Sequence, residues 1–240
     1  MDSGNIGFVL LCAAFVFVMT PGLAMFYGGL VRKKNVVNTM MTSIFIIGIG
    51  IVMWVLFGYS LSFAPSGNAF IGDFRWLGLE GVSLTEGYTD DASIPNMVFS
   101  AFQMMFAVIT PALITGAVAG RMKFKSIFVF TIFWSLIVYY PLAHMVWGQG
   151  GLLGADGIGA LDFAGGDVVH ISSGVSALVL CILLGKRHDY EHSIYRIHNI
   201  PTVVLGASLL MFGWFGFNAG SALAADGLAA HAFMTTGGSA

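Results

Sequence analysis

The stretch that decides the fold is residues 36–64, VVNTMMTSIFIIGIGIVMWVLFGYSLSFA. It contains no Asp, Glu, Lys or Arg. A helix crosses the hydrocarbon core of a bilayer with about 20 mostly apolar residues, so this stretch is long enough to span it. Uncharged stretches of this length are typical of transmembrane helices. We therefore predict that residues 36–64 cross a membrane.

Five further stretches are long and apolar with almost no charge, roughly 7–30, 94–119, 126–147, 163–185 and 199–225. A seventh helix is expected to begin near residue 229, and the polar ending 235–240 is expected to be too short to finish a span. Charged residues make up only 9% of the 240-residue chain, whereas soluble domains carry about 25%. This excludes a soluble enzyme, a nucleic-acid binder and a disordered chain. The predicted fold class is an all-α membrane protein, a polytopic bundle of six spans and the start of a seventh.

The basic residues predict the orientation of these spans. Nine of the ten follow the first, third or fifth span, and Arg75 is the exception. Because basic residues are enriched in cytoplasmic loops, those three connections are predicted to be cytoplasmic and the N-terminus to be outside. The start of the chain lacks the basic region of a signal peptide, so the first span is expected to be retained. We expect a multi-pass protein of the cell membrane.

Aromatic and polar side chains are predicted to converge on the outer side of the membrane. Each helical residue advances 1.5 Å, which turns sequence position into depth. If Asp162 caps the fifth span, residues 163–166 join that helix and His170 lies about 12 Å inside it. If Asp167 is the cap instead, His170 lies only one turn inside. With Asp162 as the cap, one layer of the membrane holds Phe102, Phe106, Trp147, His170, Phe217 and Ser221.

Two interpretations of this layer stay open. Phe102 and Phe106, spaced i and i+4, share one helix face that either lines a passage or packs against neighbouring helices. His170 is an ionisable group within a span, which favours a cavity or a partner. His144 lies nearer the interface and either joins that cavity or anchors a loop. Asp162 either caps its helix or acts near a cation.

The remaining chemistry of the sequence is sparse. His188, His192 and His198 follow the fifth span beside basic residues, and we predict that they are solvated. Their spacing does not indicate a metal site. Cys12 and Cys181 lie in apolar stretches and do not indicate a disulfide. No motif predicts a catalytic residue, a metal ligand or a cofactor.

Four segments resemble the ammonium transporter family (Amt/Mep/Rh), in family order and with family-like gaps. They are MTPGLAMFYGGLVRKKN at 19–35, AHMVWG at 143–148, ALDFAGGDVVH at 160–170 and GWFGFNAGS at 213–221. The resemblance extends over essentially the whole chain. Its most specific part is the segment that ends at His170.

The resemblance implies roles for these residues. Phe106, Trp147 and Ser221 match an outer vestibule that recruits ammonium, with Phe102 as a further aromatic. Phe106 and Phe217 match a stacked aromatic gate. His170 matches the first of two pore histidines. Asp162 matches an aspartate that supports the recruitment region.

The family pattern also implies an assembly larger than this chain. In the family, each subunit has eleven spans, arranged as two inverted five-helix halves and a last helix. The subunits form a trimer, and PII signalling proteins are frequent partners. Residues 1–187 correspond to the first half and 199–240 to the start of the second, so the second histidine is absent. We expect a fragment of a longer chain or one piece of a split protein. The implied function is an ammonium or ammonia channel or transporter. The alternatives are an ammonium sensor, a non-conducting fragment and, least favoured, an intramembrane enzyme.

Overall fold

The computed structural model describes residues 1–65, 67–155, 157–187, 190 and 194–239. Within these ranges all long regular elements are helices. The α-helices, in chain order, are α1 (Ser3–Leu30), α2 (Val36–Met53), α3 (Tyr59–Phe63), α4 (Asn96–Val118), α5 (Phe124–Trp134), α6 (Tyr140–Trp147), α7 (Ser172–Leu184), α8 (Ile200–Gly220) and α9 (Gly227–Ser239). Three π-helical segments accompany them at Trp54–Gly58, Ser135–Tyr139 and Gly166–Ile171.

The helices join into six segments that are long and apolar enough to cross a membrane. These are Ser3–Leu30, Lys33–Phe63, Asn96–Val118, Phe124–Trp147, Gly166–Leu184 and Ile200–Gly220. The predicted helical bundle with six spans is therefore confirmed. Asp2 begins the first of them, since its carboxylate accepts a hydrogen bond from the backbone N–H of Asn5 at 2.8 Å.

The π-helical segments interrupt the second and fourth spans and begin the fifth. In the fourth span the segment Ser135–Tyr139 is followed by Tyr140 and then Pro141, which has no backbone N–H to continue the regular ladder. The wider turn accommodates that missing donor. Pro21 and Pro111, by contrast, lie within unbroken helices α1 and α4.

Three boundaries differ from the prediction. The fifth span begins at Gly166 rather than at 163, because Gly165 adopts φ 101°, a left-handed conformation that ends the preceding loop. His170 therefore lies about 6 Å from the start of the helix, not 12 Å. The sixth span ends at Gly220 rather than 225. The polar ending forms part of α9, which extends to Ser239.

Helices α1 and α8 pack side by side over most of their length. Glycines allow this approach: a Cβ on Gly206 would overlap the backbone of Phe26, and one on Gly213 would overlap Met19. Small residues permit such close packing where lipid supplies no hydrophobic drive between helices. Helix α4 contacts α1, α2 and α7 and lies at the centre of the bundle. In an apolar stretch of 18 residues along this helix, 72% are buried.

The structure also shows the surroundings of the histidines outside the fifth span. His144 is fully buried, and its Nδ1 and Nε2 lie 3.1 Å and 2.8 Å from the carbonyl oxygens of Ser62 and Asn68. It therefore anchors the loop after α3. His198 is exposed, as predicted, while His188 and His192 lie outside the described residues.

Candidate functional site

The site is built on one face of the central helix. Phe102 and Phe106 of α4 are each 1% exposed, and their ring centroids lie 4.9 Å apart in an edge-on arrangement. Phe106 also contacts two rings from other helices. Its centroid lies 6.0 Å from that of Trp147 and 4.3 Å from that of Phe217. Four aromatic side chains from three spans therefore meet around Phe106.

A cavity of about 530 Å³ opens beside these rings. Phe102, Phe106 and Trp147 contribute to its apolar wall. Another side is formed by residues 88, 89 and 91–94 and by the turn 221–224 after α8. The residues with polar side chains on its wall are Asn5, Tyr88, Thr89, Asp91, Ser93, Gln103, Asp162 and Ser221. Aromatic faces combined with a few oxygen atoms suit a small cation.

Ser221 presents hydrogen-bond acceptors to the cavity. Its hydroxyl donates to the carbonyl oxygen of Phe217 at 2.9 Å, one turn earlier on α8. A hydroxyl has one proton and two lone pairs, so this bond uses its only donor. What remains is an acceptor, which favours a ligand that donates hydrogen bonds.

Asp162 connects the start of the fifth span to the cavity. Its carboxylate accepts hydrogen bonds at 2.5–3.0 Å from the four backbone N–H groups of residues 165–168. These are donors that a helix start otherwise leaves unsatisfied. Its backbone carbonyl accepts a hydrogen bond from Nε1 of Trp147 at 2.9 Å. One residue thus caps the helix that carries His170 and orients the indole on the cavity wall.

His170 lies beyond the aromatic pair. Its ring stacks on Trp214 with centroids 5.7 Å apart, and its centroid lies 5.9 Å from that of Phe217. Phe217 therefore contacts both Phe106 and the histidine, and it links the cavity to His170. The side of His170 away from these rings is exposed in this chain.

The rim of the cavity is held by the loop between the second and third spans. The ring of Tyr88 stacks on Phe99 with centroids 4.8 Å apart, and its hydroxyl accepts a hydrogen bond from the backbone N–H of Gln149. The Gln149 side chain donates to the carbonyl oxygen of Tyr88 at 2.8 Å. Burial raises the pKa of the Tyr88 phenol to about 12.

The structure thus brings all the predicted site residues into one continuous group. Phe102, Phe106, Trp147, Asp162 and Ser221 line the cavity, while Phe217 and His170 lie behind it. Sequence reasoning missed Gln103 and Tyr88. Gln103 had a signal, since an amide within an apolar span is rarely placed against lipid. Tyr88 had none, because it lies in a loop with no periodic pattern.

The fold and the site together define a polytopic helical membrane protein with an aromatic cavity that leads to a histidine within a span. The sequence model described as Ammonium Transporter Family matches residues 7–240. The chain belongs to this family.

Individual relatives agree with that assignment. An ammonium transporter of Bacillus subtilis is 53% identical over 236 residues, covering 98% of this chain and 57% of the relative. Ammonium transporter Amt1 of Archaeoglobus fulgidus is 42% identical over 240 residues, covering 100% of this chain and 58% of the relative. The chain therefore spans little more than half the length of these relatives.

Solved structures also match this chain over little more than half of their own length. The crystal structure of Candida albicans Mep2 superposes with a TM-score of 0.87 at 33% identity, covering 99% of this chain and 52% of that one. A structure described as a sensor Amt protein superposes with a TM-score of 0.83 at 30% identity, covering 98% and 58%.

Proposed function

We propose that this chain forms the outer entrance and half of the pore of an ammonium or ammonia channel or transporter. Phe106, Trp147 and Ser221, with Phe102, recruit ammonium. Phe106 and Phe217 form the gate, and His170 lines the pore behind it. The observation that carries the proposal is the unbroken series of contacts from the cavity through Phe106 and Phe217 to His170.

The physical chemistry of the site supports recruitment of the cation and passage of the neutral molecule. Aromatic faces attract a cation by about 0.5–2 kcal/mol, which holds ammonium weakly enough for release. Beyond the gate rings, loss of water disfavours the charged form, so ammonium gives up a proton there. His170 accepts that proton and relays it, or the proton passes to water at the cavity and His170 hydrogen-bonds the remaining ammonia.

The proposal extends to the assembly. Residues 1–187 form the first five-helix repeat, and 199–240 begin a second, inverted one. The site of such a transporter lies between the repeats, which supports a second pore histidine from the other half. We propose a homotrimer in the cell membrane, with a PII signalling protein as a partner at the cytoplasmic face. The function is transport and not catalysis.

The second candidate is an ammonium sensor of the same fold. It is favoured by the similarity to the sensor Amt protein. Relatives with higher identity, at 42–53%, carry the name ammonium transporter, which favours transport. Uptake into proteoliposomes separates the two, since a binding module without a conducting pore gives none.

Trp147→Leu is expected to raise the KM for ammonium uptake about tenfold, because it removes a cation-binding ring and leaves a side chain of similar hydrophobicity. Uptake of labelled methylammonium, with ammonium as competitor, measures the change in the full product of the gene. Trp76→Leu is the matched control, since Trp76 lies in the outer loop, stacks on Tyr59 and does not line the cavity. Unchanged KM in well-expressed Trp147→Leu would remove this indole from the recruitment site.

The N-terminus and the loop 65–95 are expected to face the outside. The exception to the charge pattern, Arg75, forms an ion pair with Asp73 at 2.7 Å, which weakens its value as a topogenic signal. Single cysteines at the exposed Glu80 and Lys125 test this in a background without Cys12 and Cys181. A membrane-impermeant maleimide should label Glu80→Cys in intact cells and Lys125→Cys only after permeabilisation. The reverse pattern would invert the topology.

A further inference from the structure

Gln103 contributes to the wall of the cavity from the central helix. It precedes Phe106 by three residues on α4, so the two side chains share a face. The residue is 8% exposed. Its Oε1 is buried and has no hydrogen-bond partner in the part of the chain that the structure describes. This amide lies next to the gate ring and contributes to the cavity wall, and the family resemblance described above assigns it no role.

A buried carbonyl without a donor is costly, and the cavity is the place from which a donor can come. The terminal torsion of a glutamine side chain is broad, so the amide oxygen is not fixed in one direction. The amide oxygen can therefore turn toward a ligand beside Phe106. Such an oxygen needs a ligand that donates hydrogen bonds.

The neighbouring groups point to the same kind of ligand. The hydroxyl proton of Ser221 is used by the carbonyl of Phe217, and the indole N–H of Trp147 is used by the carbonyl of Asp162. The hydrogen-bond donors of Ser221 and Trp147 are therefore already used. What these residues present to the cavity is a hydroxyl lone pair and an aromatic face. A ligand that only donates, carries positive charge and is as small as water matches this lining. Ammonium is such a ligand, with four N–H donors and no lone pair.

We propose that the side-chain carbonyl of Gln103 is a binding group for ammonium, which accepts one of its hydrogen bonds at the inner end of the cavity. The inference rests on the proposed function and adds a residue to its recruitment site. Gln103 acts on affinity and not on turnover, because it contacts the cation before the gate.

Gln103→Leu and Gln103→Met test the proposal, because both keep the approximate size of the side chain and remove the acceptor. In proteoliposomes with the full product of the gene, both are expected to raise the KM for ammonium about tenfold, with the maximal rate within twofold of the parent. The unfolding temperature in detergent is expected to stay equal or to rise, since an unpaired buried oxygen is removed. Gln103→Glu, which keeps an acceptor oxygen, is expected to have a KM at or below that of the parent.

Asn38→Leu is the matched control. Asn38 is an exposed amide on α2 that does not line the cavity, so its replacement should leave the KM unchanged. A KM within twofold of the parent in both Gln103→Leu and Gln103→Met would overturn the proposal. So would loss of folding in both, because Gln103 would then be structural.

If the parent protein takes up no ammonium, the proposed function fails. If the parent transports and Trp147→Leu is impaired while the Gln103 variants are normal, only this inference fails.

Discussion

Asp162→Ala is expected to abolish ammonium uptake and to reduce the amount of folded protein. The carboxylate accepts four backbone hydrogen bonds at the start of the fifth span, and the substitution removes all four. Hydrogen bonds to charged groups contribute about 1.5–3 kcal/mol each, which makes their sum a large share of the ~5–15 kcal/mol that stabilises a domain. Uptake, expression and unfolding temperature of the full product of the gene measure the effect.

Two variants separate the cap from other roles of this carboxylate. In Asp162→Asn one oxygen is kept, so two of the four bonds survive, and the loss of stability should be about half as large. Asp167→Ala removes a carboxylate from the first turn of the same segment and is expected to be mild. Normal uptake and an unchanged unfolding temperature in Asp162→Ala would contradict the cap. A stable Asp162→Ala protein without uptake would instead assign the carboxylate a direct role near the cation.

The number and position of the spans could be predicted from the sequence, because the membrane imposes a length and an apolar composition that local sequence carries. The start of the fifth span could not. Asp162 reaches over three residues to cap a helix that begins at Gly166, and the left-handed Gly165 makes this possible. A depth counted from Asp162 treats residues 163–165 as helical, and it therefore places His170 too deep.

The members of the candidate site could be predicted because depth follows from position along each helix. The contacts that make the site specific could not, since they join residues from different spans. The hydrogen bond from the Trp147 indole to the carbonyl oxygen of Asp162 joins the end of the fourth span to the segment before the fifth, so it depends on how these elements pack. The buried oxygen of Gln103 is likewise a property of packing, because only the tertiary structure determines which side chains lack a partner.

The surface around His170 bears on the largest effect that we expect. In an apolar 18-residue stretch of the fifth span, and of the sixth, 22% of the residues are buried. In the third span the same measure is 72%. Exposed apolar residues such as Leu178 and Ile182 on α7 suit either lipid or another helix. An imidazole facing lipid is unfavourable, so His170 needs a protein surface or water opposite it. The relatives, nearly twice as long, have room for such a surface.

The 240-residue chain produced by itself is therefore expected to give no selective ammonium uptake, while the full product of the gene transports. Both are purified and reconstituted in liposomes, and ammonium uptake and current are measured together. Co-expression with the C-terminal half of the Bacillus subtilis relative should restore uptake, and His170→Ala in that half-chain pair should change its rate or its current. Selective uptake by the 240-residue chain alone would mean that α1–α9 close a pore around His170 without a second half. In that case the exposed face of α7 would belong to lipid or to another copy of this chain.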